Sequence, residues 1–222
     1  MKKKSYSLRE RNFAQTKLGL MNAFLKRLKS HSFENISIRD VCRDADVAEK
    51  TFFNYFPEKL DVITYYMQLN GVKNIFEAVK AVPEGKYLEL IQFVFCRMGK
   101  EFDRDNVIYQ IIAAFIVQGE KPKKMEISGI EKQMAFPDCE GIEKVEVIRF
   151  HDWVRKCVKA ACKNGELPLK TNINDVVVSL ITILGGTLLA MRVEKIKDWE
   201  YHYMRQLRDL WKSLGVSNKM SK

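Results

Sequence analysis

Between Ser37 and Pro57 the chain spells two helices of about two turns each, joined by a tight turn and closed by a proline. Ser37 is an N-cap residue with Asp40 three positions on, a variant of the capping box in which Asp stands for Glu. The helix it opens covers about 37–44 and turns Ile38, Val41 and Cys42 inward. A turn at 45–47 leads into a second helix over about 48–55, which Pro57 ends by withdrawing a donor and restricting Phe56. This outline is a helix-turn-helix, a unit whose second helix enters the major groove of DNA.

The second helix has two unlike faces. Phe52 and Phe56 lie four apart and pin it to a core beside Val41 and Val47. The opposite face carries Glu49, Lys50, Phe53 and Asn54, with Thr51 and Tyr55 at its edge. Base-edge chemistry suggests the roles: Lys50 to guanine, Asn54 to adenine, Phe53 to a thymine methyl, and Glu49 to cytosine or against wrong sequences. Thr51, Tyr55 and Lys59 are suited to phosphates, Lys59 with help from the start of the following helix. Core packing is the alternative reading for Phe53 and Tyr55.

The charge is distributed accordingly. Of a net +10 over 222 residues, residues 1–60 carry +6, and the first thirty hold nine Lys and Arg against the single acid Glu10. That is the footprint of a polyanion partner, although Lys2, Lys3 and Lys4 read equally well as a solubilising tail. Charge does not by itself separate DNA from an anionic membrane surface.

Elsewhere no strand alternation or repeat occurs, and the fold class is all-α. A first helix covers about 8–29, with Phe13, Leu20, Met21, Phe24, Leu25 and Leu28 at helical spacing. A linking helix covers 59–81, and Pro83-Glu84-Gly85 closes it. This spacing predicts a DNA-binding head at 1–60, linked by that helix to a helical-bundle body at 82–222. In the body helices are expected at about 87–102, 106–118, 141–163, 174–193 and 198–214, with an irregular segment at 119–139 for which a lid, a short extra helix and disorder are the alternatives. The uncharged run 176–191 falls short of the ~20 apolar residues of a membrane span and contains Ser179, Thr182, Gly185, Gly186 and Thr187, so a buried helix and no membrane are expected. Five scattered cysteines with no leader-like N-terminus fit a cytoplasmic chain whose thiols are small buried hydrophobes. No phosphate loop, nucleophile elbow or metal-ligand spacing is present, so neither enzyme activity, cofactor nor metal is expected.

The segment Ile36-Ser-Ile-Arg-Asp-Val-Cys-Arg-Asp-Ala-Asp-Val-Ala-Glu-Lys-Thr-Phe-Phe-Asn-Tyr-Phe-Pro-Glu-Lys59 resembles the head of TetR-family transcriptional regulators. Arg39-Asp40, Ala45, Val47, Thr51, Phe52, Phe53, Tyr55, Phe56, Pro57 and Lys59 carry the match over about twenty-five residues. Asn164-Gly-Glu-Leu-Pro168, ahead of an apolar helix containing Gly185-Gly186, resembles the family's final helices. Two positions depart from the pattern. Asp46 replaces the turn glycine and tolerates the left-handed conformation. Ala48 replaces the Ser or Thr that opens the recognition helix, removing a cap worth about 0.5–2 kcal/mol.

The resemblance implies a repressor released from a palindromic operator by a small-molecule effector, with Ser37, Arg39 and Ala48 joining the DNA-facing set. It implies a homodimer through 174–193 and 198–214, where Gly185 and Gly186 would allow close backbone approach, with core packing inside one chain as the alternative. Phe93, Met98, Phe102, Tyr109, Phe115, Phe150 and Trp153 are the aromatics and methionine from which an effector pocket would be built, with core packing alone as the alternative reading. The alternative is a basic helical protein that binds DNA or anionic surfaces without sequence preference or effector control, which predicts binding that collapses with salt.

Overall fold

A computed structural model describes residues 6–104, 107–119 and 122–216. Their regular elements are helices: α1 (Leu8–Leu28), α2 (Ile38–Asp44), α3 (Glu49–Tyr55), α4 (Lys59–Ala81), α5 (Tyr87–Arg104), α6 (Val107–Gln118), α7 (Gly129–Ala135), α8 (Phe150–Lys163), α9 (Ile173–Glu194) and α10 (Trp199–Ser213), with one 3-10 turn at Ile142–Lys144. Lys2, Lys3 and Lys4 lie outside the described residues.

The chain divides into two compact units, Met1–Lys73 with Asn106–Ile148, and Asn74–Asp105 with Arg149–Lys222. This is not the partition read from the sequence at 60 and 82. The segment assigned there to the body, 106–148, packs with the head. Val107, Ile111, Ala114 and Ile127 enter the same apolar cluster as Leu20, Phe24, Val41, Phe52, Phe56 and Ile63. Composition hides this, because an apolar helix such as α6 fits either core equally well.

In unit 1, α1 opens with a complete capping box: Ser7 Oγ accepts from Glu10 N–H, and Glu10 accepts from Ser7 N–H at 2.8 Å. A second box, Ser128 with Glu131, starts α7 inside the segment expected to be irregular. Glu131 is 2% exposed and Lys17, from α1, is 5% exposed. Lys17 Nζ lies 2.9 Å from Glu131 Oε1 and donates to the Glu126 carbonyl at 2.9 Å. Tyr65 OH donates to the same Glu131 oxygen at 3.0 Å, and its ring centroid lies 4.4 Å from Lys17 Nζ. Burial pushes the Glu131 carboxyl up, but hydrogen bonds from Ser128 and the Lys17 charge together hold it below the ordinary range. Burial, then Glu131 itself, pushes the Tyr65 phenol far up.

The helix expected over 141–163 begins only at Phe150. Gly141 takes φ 92°, the 3-10 turn follows, and Val145 is extended at ψ 131°. The buried Lys132 ammonium holds the Val145 carbonyl at 2.7 Å, and the β-branched Val145, Val147 and Ile148 favour extended backbone.

In unit 2, α5 packs against α8 and α10, and α9 against α8 and α10. The core holds Phe95, Trp153, Val158, Leu180, Tyr203, Leu207 and Trp211. Gly99 marks the closest approach of α5 to α10: a Cβ there would meet Trp199 at 2.7 Å and Tyr203 at 2.8 Å. Glu166 accepts from Tyr87 N–H at 2.7 Å and so caps α5. Burial, with Glu166 adding, pushes the Cys157 thiol up to about 12, and burial with Glu200 pushes Cys96 up to about 11. Both thiols are therefore protonated and weakly nucleophilic at neutral pH.

Candidate nucleic-acid interface

The turn between α2 and α3 closes as a Schellman motif. Val47 N–H donates to the Cys42 carbonyl at 3.0 Å and Asp46 N–H to that of Arg43 at 3.3 Å, with Asp46 left-handed at φ 54°. Asp46 thus does what glycine does in such turns, as the sequence suggested. Only half of the expected Ser37 capping box forms. Ser37 Oγ accepts from Asp40 N–H at 3.4 Å, but no return bond caps Ser37. The Asp40 carboxylate is drawn instead to Arg43 at 2.9 Å and Arg27 at 3.4 Å. Arg27 Nε also donates to Asp44 at 2.8 Å, and that hydrogen bond, with the arginine charge, holds the Asp44 carboxyl below its ordinary range. Arg27 therefore ties both ends of α2 to α1, a role that nothing in its sequence spacing announces.

Phe52 and Phe56 are fully buried, their rings 5.8 Å apart, and Phe56 packs edge-on to Tyr65 at 5.5 Å. The opposite face of α3 is open. Glu49, Lys50 and Asn54 are exposed, and Phe53 is 50% exposed with its ring edge-on to Phe52 at 5.4 Å. Ala48 is exposed, in extended conformation, and provides no side-chain cap. Ser37 and Arg39 are exposed beside it on α2, and Thr51 is half-buried. Tyr55 is half-buried against Phe13 of α1, ring centroids 4.6 Å apart. Lys59 is held back: its ammonium donates to the Glu34 carbonyl at 3.0 Å and sits 4.8 Å from the Phe33 ring centroid. Burial lowers its pKa, against the opposing pull of Glu34.

The fold that carries this two-faced helix recurs in solved structures. The sequence matches no protein-family model and no curated protein. By fold, 93% of the chain superposes on 98% of Thermus thermophilus FadR, a TetR-family transcriptional repressor in complex with lauroyl-CoA, at TM-score 0.63 and 15% identity. The SmeT–triclosan complex aligns with 93% of the chain and 94% of its own length at TM-score 0.60 and 13% identity. FadR of Bacillus halodurans, a fatty acid degradation regulator, aligns with 96% and 100% at TM-score 0.59 and 12% identity. The chain has the TetR-family fold.

On this TetR-type scaffold the residues expected to form one effector pocket are divided. Tyr109 and Phe115 belong to α6 in unit 1, and Phe115 packs against that unit's core. Phe93, Met98, Phe150 and Trp153 belong to unit 2, where Phe150 lies 5.8 Å from Trp153 and 6.1 Å from Phe95. Phe102 has a side chain outside the described residues. Helix α9 is long and apolar enough to cross a membrane by length and composition. One of its faces is buried through Val176, Val177, Leu180, Leu184, Leu188 and Met191, and Tyr203 OH donates to its Leu184 carbonyl at 2.9 Å. The other face exposes Val178, Leu189 and Val193 at 62–64%, with Gly185 and Gly186 between them.

Proposed function

We propose that this chain is a sequence-specific DNA-binding transcriptional regulator that acts as a homodimer and is released from a palindromic operator by a small-molecule effector. The observation that carries the reading is the open face of α3. Four groups with base-reading chemistry, Glu49, Lys50, Phe53 and Asn54, stand exposed on a helix whose other side is locked by Phe52 and Phe56. Arg39, Ser37 and Ala48 flank this face, with Thr51 and Tyr55 as phosphate contacts. Lys59 spends one of its three donors on Glu34 and keeps others for a phosphate.

Dimerisation is supported by α9. A Cβ at Gly185 or Gly186 would meet nothing within 4 Å, so packing within one chain does not call for these glycines. Each costs about 1 kcal/mol of helix propensity relative to Ala. Close approach of the same helix from a second copy accounts for them and covers Val178, Leu189 and Val193. The effector reading is supported by the fold's neighbours, solved with lauroyl-CoA and triclosan, and by the aromatic group Phe93, Met98, Phe150 and Trp153 in unit 2. Such an effector acts by differential affinity for the DNA-competent and DNA-incompetent states. Selection from a random DNA pool at physiological salt tests the proposal. One palindrome with half-sites a helical turn apart, about 34–36 Å, is expected; an unenriched pool refutes it.

A further inference from the structure

We propose that the groove between α1, α4 and α7 in unit 1 binds a small uncharged amphiphile, at a site other than the aromatic group of unit 2. The groove is open to solvent on one side and has a volume of about 490 Å³, within the range of small-molecule sites, roughly 300–1,000 Å³. Its apolar lining comes from Leu18, Met21 and Leu25 of α1, Leu69 of α4, and Met134 and Phe136 at the end of α7. Met134 is 40% exposed, an apolar side chain left open to water at the groove. Three carboxamides, Gln15, Asn22 and Asn70, together with Tyr66, make up the polar part of the lining, and no lining residue carries a full charge.

Gly19 gives the independent reason to expect an occupant. It lies in the interior of α1 and lines the groove, where glycine costs about 1 kcal/mol of helix propensity relative to Ala. Its backbone is not left-handed, and a Cβ there would meet nothing within 4 Å. Gly129, by contrast, has close neighbours: a Cβ there would meet the Tyr6 hydroxyl at 2.7 Å and Glu143 Cβ at 3.2 Å. Packing within the chain therefore explains Gly129 and leaves Gly19 without a cause. A ligand seated along α1 supplies one: the missing side chain is the space it fills.

The lining also selects the chemistry of that ligand. A charged head group would lose hydration among leucine, methionine and carboxamide without meeting an opposite charge, a costly transfer. The charge of Lys17 is already met by Glu131, and Lys73 Nζ, 5.4 Å from the Phe136 ring centroid, does not line the groove. A neutral head that both donates and accepts, such as a primary amide, matches Gln15, Asn22 and Asn70. The flexible Met21 and Met134 adapt to an aliphatic body. Because the groove joins three helices of the unit that carries α3, occupancy stabilises that unit by mass action.

The test uses the full-length chain with methyl-labelled methionine, titrated with decanamide, decanoate and decylammonium and followed by NMR. Decanamide is expected to shift the Met21 and Met134 methyl signals saturably and to bind at least tenfold more tightly than either ion. Gly19→Leu, whose side chain grows into open space, is expected to weaken decanamide at least tenfold while melting no lower than the parent. Absence of a saturable shift overturns the proposal, as do equal affinities for the three probes or an unchanged affinity in Gly19→Leu. A change of mass by light scattering in Gly19→Leu, without amide binding in the parent, also overturns it and marks the groove as an interface between copies. Operator selection is read on DNA alone, so its outcome is separate from this one.

Discussion

Replacing Lys17 by methionine keeps an unbranched side chain one atom shorter and deletes its charge, leaving Glu131 buried without its counter-ion. Removing one partner of a buried ion pair costs about 3–5 kcal/mol. Here the stranded carboxylate keeps the Ser128 N–H and hydroxyl and the Tyr65 hydroxyl as donors, at 2.6, 2.6 and 3.0 Å. This favours the lower end, about 3 kcal/mol, to which the Glu126 carbonyl adds because it loses the ammonium that binds it. Glu131→Gln retains the capping box, since glutamine serves at that position, and leaves the ammonium short of its charge partner. In the double variant no unpaired charge remains, so the two losses should not add, with a coupling of about 1–3 kcal/mol. Urea unfolding followed by far-UV circular dichroism gives the four stabilities, and hydrogen exchange in α1 and α7 peptides locates the loss. A cost below about 1 kcal/mol for Lys17→Met, or a cycle additive within about 0.5 kcal/mol, would refute the reasoning.

The same carboxylate predicts a pH dependence. A carboxyl whose pKa is lowered by folding contributes stability above its unfolded value, about 4.3 for Glu, and loses it as pH falls through the lower folded value. The melting-temperature gap between parent and Glu131→Gln should therefore be wide at pH 7 and narrow below about pH 4; a constant gap contradicts the assignment. Lys50→Ala and Asn54→Ala should each reduce discrimination between operator and random DNA by about 1–3 kcal/mol for the base that each side chain reads, measured by gel shift at fixed salt; unchanged discrimination removes the reading roles. Ala48→Ser should supply the missing cap of α3 and raise stability by about 1 kcal/mol, read as a shift in urea midpoint, and a midpoint at or below the parent's counts against it.

Local signals were the most legible. The Ser37 cap, the turn at Asp46 and the stop at Pro57 each depend on a few neighbouring residues, and the structure bears all three out. The two-faced character of α3 followed from spacing alone. What stayed hidden depended on distant partners. Lys17 and Glu131 meet across more than a hundred positions, and nothing local marks Lys17 as a buried base. Of the alternatives for 119–139, the short extra helix is the one that forms, as α7, opened by the Ser128 and Glu131 capping box. Tyr55 is half-buried, its ring tilted 50° to that of Phe13 with centroids 4.6 Å apart.

The discontinuity of unit 1 bears on the order in which the protein takes shape during synthesis. Residues up to Lys73 leave the ribosome with the surfaces of Leu20, Phe24 and Ile63 only partly covered, since Val107, Ile111, Ala114 and Ile127 of the same cluster are not yet made. At ~5–20 residues per second the nascent head waits several seconds for α6 and α7 before its core closes. A fragment cut after the helix-turn-helix is thus an unfinished object, and a chaperone that shields apolar nascent chain would find its natural client in that interval.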